Sequence, residues 1–150
     1  MASLTSHDVM SAEKRSALMS RIRGRDTHPE KALRRAVWAL GLRYRLQYRI
    51  GRARPDLVLV KARIAVFVDG CFWHHCPLHG VMPKGNHAFW KAKLMGNVQR
   101  DIETTQALVS AGWAVLRLWE HEVDESAKTC ASRIRKLVVR RISRCGGKHQ

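Results

Sequence analysis

Apolar residues recur along this chain with two periods, one typical of amphipathic helices and the other of β-strands. Leu33, Val37 and Leu40 lie three or four residues apart, which predicts a helix that begins after a cap at Asp26 or Thr27. Short, continuous apolar runs rich in valine predict buried strands. The predicted order is a helix over residues 28–40, strands over residues 43–49, 54–60 and 63–69, a helix over residues 88–111, a strand over residues 113–119 and a basic helix over residues 130–144.

The strands at residues 54–60 and 63–69 are separated by a tight connection, which predicts an antiparallel hairpin. Asp56 lies at the start of the first strand and Asp69 at the end of the second. Because these two ends are adjacent in a hairpin, we expect both carboxylates to meet at one end of the sheet. Strands that alternate with helices in this way predict a small α/β domain with a mixed sheet between helices.

Length and charge narrow the class of protein. The 150 residues suffice for one domain, and the formal net charge of +16, spread along the whole chain, favours nucleic acid as a partner. Residues 11–23 have a basic, weakly apolar helical pattern that is poor for a core helix. No apolar run is long enough to cross a membrane and residues 1–10 lack an apolar signal core, so a cytoplasmic location is expected.

Residues 66–79 carry the densest chemistry, because a short apolar strand is followed by a carboxylate, two thiols, three imidazoles and two adjacent aromatics. In a reducing compartment these thiols are more typical of metal ligands than of disulfides. Cys71, Cys76 and His79 have a spacing that suits zinc, although they can also be reactive or incidental loop residues. His121 is the best-placed fourth ligand because it follows a predicted strand end. The other candidates are His75, His87, Cys130 and Cys145.

The acidic residues Glu30, Asp56 and Asp69 form a second candidate site. Carboxylates gathered at a sheet end attract a hard cation such as Mg²⁺, which stabilises charge on a phosphate during hydrolysis. Each of the three acids can instead cap a helix or pair with one of the many arginines.

A third candidate site joins His74 to the aromatic pair Phe72 and Trp73. A histidine near neutral pKa can take a proton from a water that attacks a phosphate. Exposed adjacent aromatics can stack on bases or wedge between them. The alternative is that both rings are buried in the core beside the zinc site.

Several short motifs occur in a fixed order along the chain. They are MSRI at residues 19–22, RDT at 25–27, PE at 29–30, RPD at 54–56, VFVDGCFWH at 66–74, FW at 89–90, NVQRD at 97–101, GWAVL at 112–116 and WEH at 119–121. Together they resemble the very-short-patch repair (Vsr) family of DNA mismatch endonucleases, over residues 15–123. The resemblance implies a restriction-endonuclease-like PD-(D/E)xK core of the α/β class, with Mg²⁺-dependent cleavage and a structural Zn²⁺. Residues 1–150 would form one such domain, with residues 1–24 as a DNA-contacting arm and residues 125–150 as a basic C-terminal helix.

The resemblance also implies roles for individual residues. Asp56 would be the metal-binding catalytic aspartate, with the backbone carbonyl of Val68 completing the Mg²⁺ site. His74 would act as the general base and Glu30 would organise a water molecule. Asp69 is a further candidate for catalysis because of its position beside Val68.

Zinc ligands and DNA contacts follow from the same motifs. The implied zinc ligands are Cys71, Cys76, His79 and His121. The implied DNA contacts are the aromatic residues Phe72, Trp73 and Trp90 beside the mispair, Met19 and Ile22 from the arm, and Asn97.

The activity implied by the resemblance is a nick 5′ to the thymine of a T:G mispair, which arises when 5-methylcytosine is deaminated in duplex DNA. The protein would act as a monomer, linked in function to a cytosine-5 DNA methyltransferase and to a MutL-like mismatch-repair protein. Two alternatives stay open. A restriction-type or homing-type endonuclease would not need the aromatic wedges, and a non-catalytic zinc DNA-binding module would not need Asp56.

Overall fold

Four helices and three strands make up the part of the chain that the computed structural model describes, which is residues 26–71, 76–78 and 85–146. No helix in these ranges is both long and apolar enough to span a membrane. In chain order the elements are helix α1 (His28–Ala39), strands β1 (Leu57–Leu59) and β2 (Ile64–Asp69), helix α2 (His87–Ser110), strand β3 (Ala114–Trp119), helix α3 (Glu120–Glu125) and helix α4 (Ala127–Gly146).

The sheet has the order β1-β2-β3 and is mixed. β1 and β2 are antiparallel, with Leu57 opposite Val66, so the predicted hairpin is confirmed. β3 runs parallel to β2, in a register that places Asp69 beside Trp119. Two consequences follow for the site: the start of β1 meets the end of β2, and β2 and β3 end side by side.

Two apolar layers cover the two faces of the sheet. Alternate strand residues point to opposite faces, and one set packs with α1, α3 and α4 around Leu33, Leu118 and Ile134. The other set packs against α2, in a smaller cluster that includes Ala65 and Leu108. The predicted α/β class, a mixed sheet flanked by helices, is therefore confirmed.

The start of α1 follows its predicted capping chemistry. Thr27 is the N-cap, and its hydroxyl accepts a hydrogen bond from the backbone N–H of Glu30 at 3.4 Å. Asp26 has a positive φ of 58° and turns its carboxylate to Arg34 at 2.8 Å instead. The N-terminal turn therefore presents a buried Glu30 to the rest of the molecule.

The predicted strand at residues 43–49 is wrong. Arg45 forms an isolated bridge with Val58, through two backbone hydrogen bonds of 2.9 and 3.0 Å. Gln47 has a positive φ of 55°, which interrupts the extended backbone that a strand requires. The segment is instead a loop fastened to β1. The predicted helix at residues 11–23 lies outside the described residues.

Candidate functional site

Three carboxyl groups meet where α1 begins, β1 begins and β2 ends. Asp56 lies one residue before β1, and its Oδ2 accepts a hydrogen bond from the backbone N–H of Val68 at 2.7 Å. Glu30 and Asp69 are 3% and 6% exposed, and both act on the charge of Asp56. The structure thus brings together the three acids predicted from the sequence, and we call Glu30, Asp56 and Asp69 the acidic cluster.

Asp56 differs electrostatically from the other two acids. Burial raises the pKa of Asp56 to about 7, opposed by the hydrogen bond from Val68 and assisted by the negative charges of Glu30 and Asp69 and by a side-chain hydrogen bond with Glu30. Arg34 lies 3.4 Å from Glu30, and Arg117 lies 3.0 Å from Asp69. Among the described residues, no cationic side chain forms such a pair with Asp56.

This imbalance fits a bound cation. A buried carboxylate beside a second acid is unfavourable as an anion unless a positive charge accompanies it. The donors available at Asp56 and Glu30 are carboxylate oxygens, which hard divalent ions prefer. The acidic cluster can therefore hold a divalent metal ion, and Asp56 is its natural centre.

A cavity of about 530 Å³ opens on Asp56 and Glu30. Arg49 and Arg54 also line it; both are exposed, and neither pairs with a carboxylate among the described residues. Arginine without an acidic partner is well suited to bind phosphate oxygens. The cavity combines carboxylates for a metal with guanidinium groups for a phosphodiester backbone. The remaining lining residues are Asp26, Arg34, Leu46, Gln47 and Pro55.

A second cluster, which we call the Cys/His cluster, consists of Cys71, Cys76 and His121. The thiols lie 3.3 and 3.6 Å from His121 Nδ1, and the three ligand atoms are all within 4.8 Å of one another. Cys71 follows β2 and His121 begins just after β3, so the parallel pairing of the strands sets them side by side. Burial raises the pKa of the Cys71 thiol, against a backbone hydrogen bond with His121. A metal ion would favour both thiolates, and this donor set can hold one.

The other proposed zinc ligands have separate positions. Cys130 is buried in the core among the residues of α4, and His87 begins α2; neither belongs to the Cys/His cluster. His75 and His79 lie outside the described residues, and so does the side chain of Cys145.

Most of the predicted DNA contacts also lie outside the described residues, namely Met19, Ile22, Phe72 and Trp73, as does the predicted general base His74. Trp90 is described and is 6% exposed, packed edge-on against Phe89. Phe89, at 52% exposed, is the accessible ring at the start of α2. Asn97 is half-buried and accepts a hydrogen bond from Arg100.

Sequence reasoning missed the arginines of the site. Arg117 is the most connected of them, because it contacts Asp69 and also reaches α2. The available signal was its place inside the otherwise apolar run of β3. Arg34, Arg49 and Arg54 gave no such signal among the 28 lysines and arginines of the chain.

Comparison with solved structures identifies a protein of similar fold. The chain is similar to the catalytic domain of the homing endonuclease I-Bth0305I, with a TM-score of 0.56, and the match covers 78% of this chain and 99% of that one. At 20% sequence identity, the similarity establishes the fold alone.

Comparison with curated sequences indicates the class of activity. The chain is 49% identical over 113 residues to the type II nicking enzyme V.NaeI of Lentzea aerocolonigenes, covering 72% of this chain and 68% of that protein. It is 41% identical over 133 residues to the type II nicking enzyme V.NmeDIP of Neisseria meningitidis serogroup C, covering 87% and 90%. It is 40% identical over 115 residues to the DNA mismatch endonuclease Vsr of Escherichia coli (strain K12), covering 75% and 73%.

Fold, site and relatives together define the class of protein as a DNA endonuclease. The family model for the DNA mismatch endonuclease Vsr matches residues 7–79, a range that includes all three members of the acidic cluster. The chain belongs to the Vsr family of DNA endonucleases, which confirms the resemblance found in its motifs.

Proposed function

We propose that this protein nicks duplex DNA 5′ to the thymine of a T:G mispair left by deamination of 5-methylcytosine, and so initiates very-short-patch repair. The observation that carries the proposal is Asp56, a half-buried carboxylate with a raised pKa that has no paired cation among the described residues. It opens on a cavity that it shares with Arg49 and Arg54, neither of which pairs with an acid in the same part of the chain. Mismatch specificity is supported by the relative from Escherichia coli, which is named as a DNA mismatch endonuclease.

Asp56 and the carbonyl of Val68 are the proposed holders of Mg²⁺. When bound, the ion would stabilise negative charge on the phosphate during cleavage. The 2.7 Å hydrogen bond from the backbone N–H of Val68 fixes the orientation of the Asp56 carboxylate. Glu30 would orient the attacking water, and His74 would take its proton.

The Cys/His cluster, together with His79, is the proposed holder of a structural Zn²⁺. Residues 72–75 lie between its two cysteines in sequence, and the backbone N–H of Cys76 donates a hydrogen bond to the carbonyl oxygen of Cys71 at 2.9 Å. The proposed base His74 and the aromatic pair Phe72 and Trp73 all belong to this stretch of sequence. Zinc would therefore brace one short segment that serves both cleavage and recognition.

DNA binding would use both charge and insertion. Arg49 and Arg54 would hold backbone phosphates beside the acidic cluster, since both line its cavity. Phe72, Trp73 and Trp90 would enter the base stack at the mispair. The further proposed contacts are Met19, Ile22 and Asn97. The protein would act as a monomer, in a pathway with a cytosine-5 DNA methyltransferase and a MutL-like protein.

A second candidate function is sequence-specific nicking without a need for a mispair. It is favoured by the names of several relatives, V.NaeI and V.NmeDIP among them, which are type II nicking enzymes. The acidic cluster would serve this function equally well, because phosphodiester hydrolysis makes the same demands in either case.

A nicking assay separates the two functions. Duplexes that each carry one cytosine-5 methyltransferase recognition site are offered with T:G, T:A or C:G at the methylated position, in the presence of Mg²⁺. We expect nicking of the T:G duplex alone. Nicking of the matched C:G duplex as fast as the T:G duplex would establish the second function instead, and nicking of neither would refute both. Asp56→Asn should abolish the activity, whereas the exposed acid Asp124, changed to Asn, serves as the matched control.

A further inference from the structure

Arg117 joins three elements beside the acidic cluster. It lies on β3 in register with Phe67 of β2, and its guanidinium carbon is 4.2 Å from the centre of that ring. Its Nη1 donates to both carboxylate oxygens of Asp69, at 3.0 and 3.2 Å. Its other two nitrogens reach α2, where Nε donates to Thr105 Oγ1 at 2.9 Å and Nη2 to the carbonyl oxygen of Asp101 at 3.3 Å. All three guanidinium nitrogens are thus bonded, each in a fixed direction.

The pairing makes Asp69 unsuitable as a metal ligand. Asp69 is 6% exposed, and the nearest guanidinium nitrogen is 3.0 Å from its Oδ1. A divalent cation on this carboxylate would lie next to the positive charge of Arg117, and the repulsion between them is strong where little water screens it. Asp56 has no such cation beside it among the described residues.

We propose that Arg117 is a positioning residue, and that Asp69 serves the site as the anchor of Arg117 and not as a ligand of the metal. The pair holds the end of β2 against α2. Val68, which orients Asp56 through its N–H, directly precedes Asp69, and Cys71 follows two residues later. The ion pair therefore fixes the backbone that connects the acidic cluster to the Cys/His cluster.

The same pair connects cleavage to DNA contact. α2 carries Trp90 and Asn97, two of the proposed DNA contacts, as well as the two residues that Arg117 binds. A displacement of α2 by bound DNA would be transmitted through Arg117 to the end of β2. The inference rests on the proposed role of Asp56 as the metal ligand, and each can fail without the other.

The decisive measurement is calorimetric titration of Mg²⁺ into the zinc-loaded protein. Asp69→Asn leaves Arg117 with the more distant carboxylate of Asp101, 3.6 Å away, as its remaining acid. Because more of the positive charge beside the site is then uncompensated, we expect Mg²⁺ to bind about tenfold more weakly. The double variant Asp69→Asn/Arg117→Met removes both charges, and its affinity should return to within about threefold of wild type. If the double variant binds as weakly as Asp69→Asn alone, Asp69 is a metal ligand and the proposal is overturned.

Nicking kinetics at saturating Mg²⁺ test the positioning role. We expect the double variant to lose about 10- to 100-fold in kcat, with little change in KM for DNA. Arg117→Lys keeps the positive charge but loses the planar guanidinium group, so its kcat should lie between those of the double variant and wild type. Unchanged kcat in the double variant would refute positioning. Arg133→Met, at the exposed pair with Glu122, is the control for loss of one arginine. If Arg117→Met does not fold, Arg117→Lys alone still carries the test, because a wild-type kcat there contradicts the proposal.

The titration keeps this inference apart from the proposed function. Asp56→Asn is measured in the same series, and wild-type Mg²⁺ affinity in that variant would refute Asp56 as the ligand. The comparison of Asp69→Asn with the double variant reports on Asp69 whatever the result at Asp56.

Discussion

The acidic cluster and the Cys/His cluster lie at the same end of the sheet but are held in different ways. Arg34 and Arg117 fix two of the three acids through ion pairs, so the acidic cluster is assembled by the protein itself. The Cys/His cluster is instead a group of three close ligand atoms, two of them buried thiols. A metal ion would stabilise such a group far more than its internal hydrogen bonds do. We therefore expect that a metal in the acidic cluster would serve the reaction and that a metal in the Cys/His cluster would serve the fold.

Loss of the carboxylate at Asp56 should have the largest effect. Asp56→Asn should reduce kcat for nicking at least about 10³-fold, roughly 4 kcal/mol in transition-state energy, because the metal loses its central ligand. Zinc content and the cooperative unfolding transition should both be retained, since the arginine pairs and the Cys/His cluster are untouched. Metal analysis and urea unfolding measure these two properties. Loss of zinc from Asp56→Asn would contradict the view that the two clusters are independent.

Loss of a thiol should have the converse effect. Cys76→Ser should lose zinc and about 3–5 kcal/mol in the free energy of unfolding, because a structural metal site contributes directly to folding. The matched control is Cys130→Ala, which changes an equally buried cysteine outside the cluster and should keep its zinc. Full zinc content in Cys76→Ser would contradict the assignment of the cluster.

Much of the fold was predictable because it depends on local patterns. The hairpin followed from two apolar runs around a tight turn, and its geometry brought Asp56 and Asp69 to one end of the sheet, as expected. The position of His121 beside the cysteines followed from the end of an apolar strand. The loop at residues 43–49 was not predictable, because the positive φ of Gln47 leaves no mark in the hydrophobic pattern.

The arginine partners were harder to predict for a different reason. Asp69 pairs with Arg117 only because β3 lies parallel to β2 in one register. That register is set by tertiary packing, and any of the 28 basic residues could have supplied the charge. The burial of Trp90 is a similar case, since an aromatic residue at helical spacing is compatible with both core and surface.

Without Mg²⁺, the acidic cluster should make stability depend on pH. The pKa of Asp56 is raised from 3.8 to about 7 in the folded protein, so its ionisation opposes folding. This penalty is absent below about pH 4, grows as the pH rises and is complete above about pH 7, where it amounts to roughly 2–4 kcal/mol. Urea unfolding at pH 5 and pH 8, with zinc retained, measures the free energy of unfolding of wild type and Asp56→Asn. The advantage of Asp56→Asn over wild type should be larger at pH 8 than at pH 5. An equal difference in stability at both pH values would show that the Asp56 charge is compensated in solution.

The arginines that line the cavity should have the smallest effect, and they sharpen the comparison because they distinguish binding from cleavage. Arg49→Gln or Arg54→Gln should each weaken DNA binding by about 1 kcal/mol, roughly fivefold. Each should also lower the slope of log affinity against log salt concentration by about one unit, the equivalent of one phosphate contact. Mispaired and matched duplexes should be affected equally, since a phosphate contact carries no sequence information. Fluorescence anisotropy over a salt series without Mg²⁺ measures this, with Arg133→Gln as the paired-arginine control. A loss confined to the T:G duplex would mean instead that these arginines read the mispair, and the cavity beside the acidic cluster would then share recognition with Phe72 and Trp73.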